Sequence, residues 1–366
     1  FILERRNIMA KKKYKIVKSK SIVYNGRTLY RIKALRDFNT VTGETVFKGD
    51  LGGFIETENN LSQEGYCWIF NNAKVYDDAR VSEDAKICGG AEIFDSAEVF
   101  GNAEISGNTQ IFYGAHVCGN AKVYGYAKVC GKARVYGEAK VYNFAKILDN
   151  AQVYDNAKIY ENAIVAGDVQ IYHNAQVYGN AWIYDDAFIC DNARIYGLAK
   201  IFNKAIVYGN AKVYGNAQIF GKAKVYGNAE VYENAEIFDY AFIFGDAKVF
   251  SNAKIFGTTW LYCAAKIGDK LSLNKGKYIF ATLNIDETLS EIEPICYKIS
   301  FAVRVIELKL PVEQGYIESL VSELAKYDEL IDYFHSNECE IIFTPNENKI
   351  YKLLLQSKQN IENFYK

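Results

Sequence analysis

The 366-residue chain has three prolines, one methionine and three histidines. All three prolines, Pro294, Pro311 and Pro345, fall beyond residue 290, so nothing earlier removes a backbone donor from a hydrogen-bonded ladder. Eight cysteines are scattered with no Cys-x-x-Cys pair. That pattern argues against a zinc or dithiol centre and for reduced thiols in a cytoplasmic protein. No long apolar run can span a membrane. The lone methionine is Met9, so Phe1–Ile8 are expected to lie upstream of the start, a prefix too short for a signal peptide. Charge of one sign is also missing: 43 Lys/Arg stand against 44 Asp/Glu. Residues 1–66 carry 13 basic and 7 acidic side chains, residues 67–267 carry 19 and 21, and residues 268–366 carry 11 and 16. None of these segments implies nucleic acid by charge alone.

What the chain does have is a period. From Cys67 to Ile267 a six-residue unit recurs 34 times without insertion or deletion, as in Ala211-Lys212-Val213-Tyr214-Gly215-Asn216. Thirty of the 34 first positions are Ala, the exceptions being Cys67, Thr109, Val169 and Thr259, and every third position is Val, Ile or, once, Leu261. A strict short period is the signature of a solenoid built from one strand and one corner per unit. Side chains alternate along a strand, so positions one and three face inward and positions two and four outward. The small Ala and the medium Val or Ile suit a narrow, filled tube. Positions five and six are mostly Gly, Asp, Glu or Asn, which tolerate a bent or left-handed corner.

Side chains in neighbouring coils reveal how many units close one turn. Sorted by three hexapeptides, Phe94, Phe112, Phe202, Phe220, Phe238 and Phe256 fall on one face. Tyr124, Tyr142, Tyr160, Tyr178, Tyr196, Tyr214 and Tyr232 form an unbroken series at the same spacing. Sorting by two hexapeptides divides the Phe evenly. Three units per coil, hence a three-sided prism, is the expectation: about eleven coils and roughly 50 Å of axis at the usual strand spacing.

The aliphatic-x-x-x-Ala-x pattern resembles the hexapeptide repeat of left-handed parallel β-helices, the superfamily of the trimeric acyltransferases. The Ala-Lys-Val-Tyr-Gly-Asn wording, with the entry segments Lys48-Gly49-Asp50-Leu51-Gly52-Gly53-Phe54-Ile55-Glu56 and Asn60–Gly65, is similar to the YdcK-type β-solenoid repeat of bacterial and phage-encoded proteins. The resemblance covers about residues 30–267. It implies the left-handed sense of winding, which ordinary crossover chirality would not, and it suggests a trimer.

The ends read differently. Lys13–Leu35 is expected as a hairpin about Asn25-Gly26, joined with Arg36–Tyr66 in an N-terminal cap. The expected division is therefore 1–66, a cap; 67–267, the β-helix; and 268–366, a small α+β domain. In the last, Cys296–Leu310 and Glu340–Thr344 read as strands. Glu313–Ser336 and Asn348–Tyr365 read as amphipathic helices.

Catalytic signals are weak. Acyltransferases of the superfamily use a His in a cleft between subunits and a loop projecting from the helix, but here the period never breaks. His116 is an outward residue, His335 ends a predicted helix, and His173 replaces the usual corner residue. His173 is the one candidate general base, and the expectation is that none acts. No metal site is expected, since no two cysteines are spaced by one coil and Cys118 and Cys130 lie on different faces. No cofactor is expected either.

Two faces offer binding signals. On face one the second positions are mostly basic, and Lys122, Lys140, Lys158, Arg194 and Lys212 run beside Tyr124, Tyr142, Tyr160, Tyr196 and Tyr214. Such a ladder could hold an anionic polymer by charge and stacking, or it could be a solvated face. Face two carries the Phe series. On face three, Phe188, Ile206, Phe242 and Trp260 take outward positions that should be polar, beside Phe244 and Tyr262. Such a patch implies a cover: the chain's own C-terminal domain, a protein partner or a homo-oligomer interface. The leading expectation is a non-catalytic scaffold or binding module, encoded by a phage or mobile element. An acyltransferase-like enzyme and a binder of nucleic acid or another anionic polymer are the alternatives. Ice binding fits worse, because Thr is nearly absent from the repeat.

Overall fold

The computed structural model describes residues 12–263, 265–268, 270–280 and 284–285. Within them the chain is a parallel β-solenoid of about 12 coils at an 18-residue spacing. Among the described residues the helical content is one 3-10 turn, Glu58–Asn60. From Trp68–Ile69 to Lys248–Val249 each hexapeptide contributes a strand of two residues, its second and third, as in Lys122–Val123 and Lys140–Val141. Lys122 pairs with Lys140, and Lys140 with Lys158, so the three-unit register expected from the tyrosines is the one formed. Face one is a 13-stranded sheet running from Trp68–Ile69 to Asn284–Ile285, while faces two and three join the N-terminal hairpin in a 25-stranded sheet.

The tube interior follows the predicted alternation. First-position Ala and third-position Val or Ile are at most 1 % exposed throughout the repeat. Burying each aliphatic side chain contributes about 1.5–3 kcal/mol before chain entropy is subtracted. Thr109 and Thr259 are also fully buried, and each donates its hydroxyl back to a carbonyl three residues earlier, Ser106 at 2.6 Å and Phe256 at 2.8 Å. The backbone ladder climbs one coil at a time. Lys122 N donates to Ala139 O at 2.9 Å, Tyr124 N to Val141 O at 3.0 Å and Tyr126 N to Asn143 O at 2.7 Å.

Every fifth position from Asn71 to Gly257 has positive φ, and half of these residues are not glycine. The corner solves its steric problem in two ways. At Gly137 an added Cβ would approach Asp155 N to 2.8 Å. Where an Asp stands instead, its carboxylate accepts the corner N–H of the next coil: Asp155 from His173 at 3.2 Å, Asp191 from Gly209 at 3.0 Å, Asp239 from Gly257 at 3.2 Å. Sixth-position amides add a directional ladder, in which Asn174, Asn192 and Asn210 each donate to the next Asn at 3.1–3.2 Å and Asn228 donates to Asp246 at 2.9 Å.

The N-terminal hairpin is β1 (Tyr14–Tyr24) and β2 (Arg27–Ala34), antiparallel, with Asn25 and Gly26 both at positive φ as a tight primed turn requires. The two-residue strands β3 (Phe38–Asn39) and β4 (Thr45–Val46) pair with each other, and β5 (Leu51–Ile55) pairs antiparallel with β2. On its other side β5 runs parallel to Lys74–Val75, with Phe54 opposite Lys74, and Leu61 bridges Val81. Part of Arg36–Tyr66 is therefore itself a coil, though a slightly longer one: in strict register Glu56, not Phe54, would face Lys74. This extra coil brings the total to about 12 rather than the expected eleven. Gly53 is required where β5 crosses: a Cβ there would lie 2.4 Å from Ile69 Cγ2 and 2.5 Å from Ala73 O.

The cap closes over the tube mouth. Trp68, in an outward position by pattern, is 1 % exposed because Tyr14 and Phe38 meet it edge-on at 6.4 and 5.5 Å. Lys13 is fully buried, its Nζ donating to the carbonyls of Cys67 at 3.0 Å, Glu64 at 3.1 Å and Gly65 at 3.4 Å. Burial pulls the Lys13 pKa down and pushes the neighbouring Cys67 thiol up.

At the other end the six-residue period stops near Gly268, but parallel pairing continues. Ser272–Phe280 lies along Lys254–Cys263, and Asn284–Ile285 along Lys266–Ile267. The strands and helices expected within 296–365 lie outside the described residues.

Candidate functional surfaces

On face one, fourth-position tyrosines stack in a column from Tyr124 to Tyr232, with centroids 4.7–5.0 Å apart and ring planes within 6°. Parallel strands force this spacing, since equivalent side chains recur at the distance between hydrogen-bonded neighbours. The two π-faces of each ring inside the column are thereby covered, leaving edges and hydroxyls for contact. Burial pushes the Tyr160 and Tyr214 hydroxyls up to about 12, and those of Tyr124, Tyr142 and Tyr196 in the same direction. They stay protonated at neutral pH.

The basic rank beside the column is partly neutralised. Glu104 holds Lys122 at 2.6 Å, and Glu230 holds Lys212 at 2.9 Å and Lys248 at 3.2 Å. Burial alone would raise the Glu230 carboxyl, but hydrogen bonds from both lysines outweigh it and lower its pKa. Lys140, Lys158 and Arg194 have no ion pair among the described residues, and Lys140 and Lys158 are direct neighbours in the ladder.

On face three the structure divides the predicted patch. Phe188 pairs with Ile206, the next residue in the rank is Lys224, and Phe242 and Trp260 follow. Lys224 Nζ lies 5.4 Å from the Phe242 ring centroid. Phe242 and Trp260 meet at 5.0 Å, and Phe244 meets Trp260 edge-on at 6.4 Å. All five of these apolar side chains are half-buried. The side chain of Tyr262 lies outside the described set.

The exposed apolar side chains of the repeat are elsewhere. Tyr113, Tyr126, Phe144, Trp182, Leu198 and Tyr240 are each about half exposed, and all lie on face two or its bordering corners. Three of them, Tyr126, Phe144 and Leu198, interrupt a sixth-position series that is otherwise mainly Asn. That interruption was readable in the sequence, but corners are read for turn chemistry and only strand positions for faces.

His173 sits at a corner with φ 54°, its Nδ1 2.9 Å from Asp191 Oδ1 and its ring edge-on to Tyr172 at 4.7 Å. Its side chain is 53 % exposed, in open solvent rather than a cleft. An open corner cleft of about 520 Å³ is lined by Gly167, Asp168, Asp185, Asp186, Asn203 and Lys204, and His173 is not part of it. His116 lies 3.8 Å from Glu98. Burial raises the thiols of Cys88, Cys118, Cys130 and Cys190, which weakens them as nucleophiles and ligands. Among the described residues no group of three or more His, Cys, Asp or Glu could hold a metal ion, and no helix is long and apolar enough to cross a membrane.

A scan of the sequence against models of known protein families finds no match, and a search of the curated proteins finds none either.

Proposed function

We propose that the protein is a non-catalytic scaffold or binding module, a rigid prism presenting fixed rows of side chains to a protein partner. The observation that carries this reading is the unbroken period: from Cys67 to Ile267 no loop leaves the prism to build a cleft around a reacting group. The outward side chains bond along columns instead of converging on a point, whereas catalysis needs groups that converge. The resemblance supplies the finer parts of the proposal, left-handed winding, YdcK-type kinship and a phage or mobile-element origin, and the scattered cysteines supply a cytoplasmic setting. A trimer formed through Phe242 and Trp260 belongs to it as well. Titration calorimetry with acetyl-CoA and a longer acyl-CoA tests the reading. No heat of binding is expected; saturable binding would overturn it in favour of an acyltransferase-like enzyme, with His173 the first residue to change.

A second reading has one observation in its favour. Lys140, Lys158 and Arg194 form a basic stretch without carboxylate partners among the described residues. A polyanion held there would bind by charge and by tyrosine edges, because the ring faces are already stacked. It predicts salt-sensitive binding of single-stranded nucleic acid that is lost when Lys122, Lys140 and Lys158 become Glu.

A further inference from the structure

Face two departs from the other faces in one stretch. Between Phe112 and Tyr184 its aromatic column is replaced by Cys130, Leu148 and Ala166. In the same coils the strand rank reads Lys128, Lys146, Ile164, Trp182, Lys200, in continuous parallel register. The bordering corner adds Tyr126 and Phe144, stacked at 5.1 Å and 53 % and 56 % exposed, while Trp182 is 49 % exposed. Lys128, Lys146 and Lys200 are exposed, and none has a carboxylate partner among the described residues. Face one also has unpaired cations, Lys140, Lys158 and Arg194, but the tyrosines beside them are half-buried in their column. Exposed aromatic carbon and unneutralised cations thus coincide over five coils, roughly 20 Å of axis.

A surface of this makeup fits an occupant that is both apolar and acidic. The chain contains one. Residues 286–366 hold 15 Asp/Glu against 8 Lys/Arg, a net charge of −7, together with apolar residues such as Ile317, Leu320 and Leu324 at helical spacing. Asn284–Ile285 is the last strand of face one among the described residues. From there to the coil of Ile164 is about seven coils, roughly 32 Å. Even as a flexible chain, 81 residues have a root-mean-square span of about 50 Å, so reach is no obstacle.

We propose that residues 286–366 fold back over the middle of face two, setting carboxylates against Lys128, Lys146 and Lys200 and apolar side chains against Tyr126, Phe144 and Trp182. The proposal is independent of the binding-module reading: a prism can be a scaffold whether or not its own C-terminal segment covers this face.

Zero-length carbodiimide cross-linking of the full-length chain, followed by peptide mapping, tests it. Light and isotope-labelled chains are mixed beforehand so that links within and between copies are distinguished. The expected result is links from Lys128, Lys146 or Lys200 to Asp or Glu of 286–366 within single chains, falling several-fold in high salt. A Tyr126→Ser, Trp182→Ser double variant, altered only at exposed positions, is expected to keep its melting temperature and lose most of these links. Links only between copies would overturn the proposal in favour of a second copy on this face. Absence of links from these lysines to the segment would overturn it outright, as would an undiminished yield in the double variant.

Discussion

Trp68 and Trp182 each hold the second position of a hexapeptide, one at the start of face one and the other midway along face two. The first is 1 % exposed and the second 49 %. Their backbones are alike, each a two-residue strand in a parallel ladder, so the difference comes from what covers them. At the tube mouth Tyr14, Phe38 and Lys13 converge on Trp68 and its neighbours to seal the open end. In the middle of the prism no described residue performs that task for Trp182. The repeat therefore sets where a side chain points, while non-repeating sequence decides whether it contributes to stability or remains free for binding.

Four changes test this comparison. Trp68→Ala should cost the most, about 3–5 kcal/mol, because a large side chain is removed from a sealed site. Thermal unfolding should show a markedly lower midpoint. Lys13→Met comes next, at about 1–3 kcal/mol, since three carbonyls at the tube mouth lose their donor. Its pH dependence has a definite sign. Lys13 has a depressed pKa in the fold, so between that value and the ordinary 10.5 the unfolded chain binds more protons and stability rises with pH. Cys67, raised by burial, acts in the opposite sense above its ordinary 9.0. In a Cys67→Ala background, which restores the usual first-position residue, the chain retaining Lys13 should gain on Lys13→Met through that alkaline window.

Tyr160→Ala should cost about 1–3 kcal/mol, having two stacked neighbours at 4.9 and 4.7 Å. Denaturant titration would measure it, and a loss no larger than that for Lys140→Ala would show that the column is decorative. The smallest effect on unfolding of the repeat itself is expected for Trp182→Ala, within about 0.5 kcal/mol, since no described residue packs over it. A loss approaching that of Trp68→Ala would erase the distinction between the two sites.

Much of this was legible in the sequence, for reasons traceable to particular residues. Tyr124 through Tyr232 disclosed the three-unit register because parallel strands stack equivalent side chains. Asn25-Gly26 disclosed the hairpin because few residue pairs accept positive φ twice. The inward face was legible because a narrow tube admits little besides Ala and a branched aliphatic. The burial of Trp68 was not, since its pattern position is outward and its cover, Tyr14 and Phe38, comes from well before the repeat begins. The entry coil escaped notice because it pairs Phe54 with Lys74, out of step with the period that defined the others. Face two was only partly legible, because Tyr126, Phe144 and Leu198 occupy corners, although Trp182 stands at a strand position. The basic rank of face one was legible as charge but not as pairing, since whether Glu230 reaches Lys212 and Lys248 depends on rotamers.

The three-unit coil has one further consequence, which concerns how such a chain can change length. Removing three consecutive hexapeptides would take out one storey and return every remaining side chain to the face it had. Removing a single hexapeptide would leave the tube equally well filled, because all units carry much the same inward residues, yet everything downstream would turn by one face. Tyr178 would then stand above a member of another column, and each ladder would be severed at the cut. The prism thus has a reading frame: its interior is indifferent to shifts of one unit, while its surface has meaning only in steps of three.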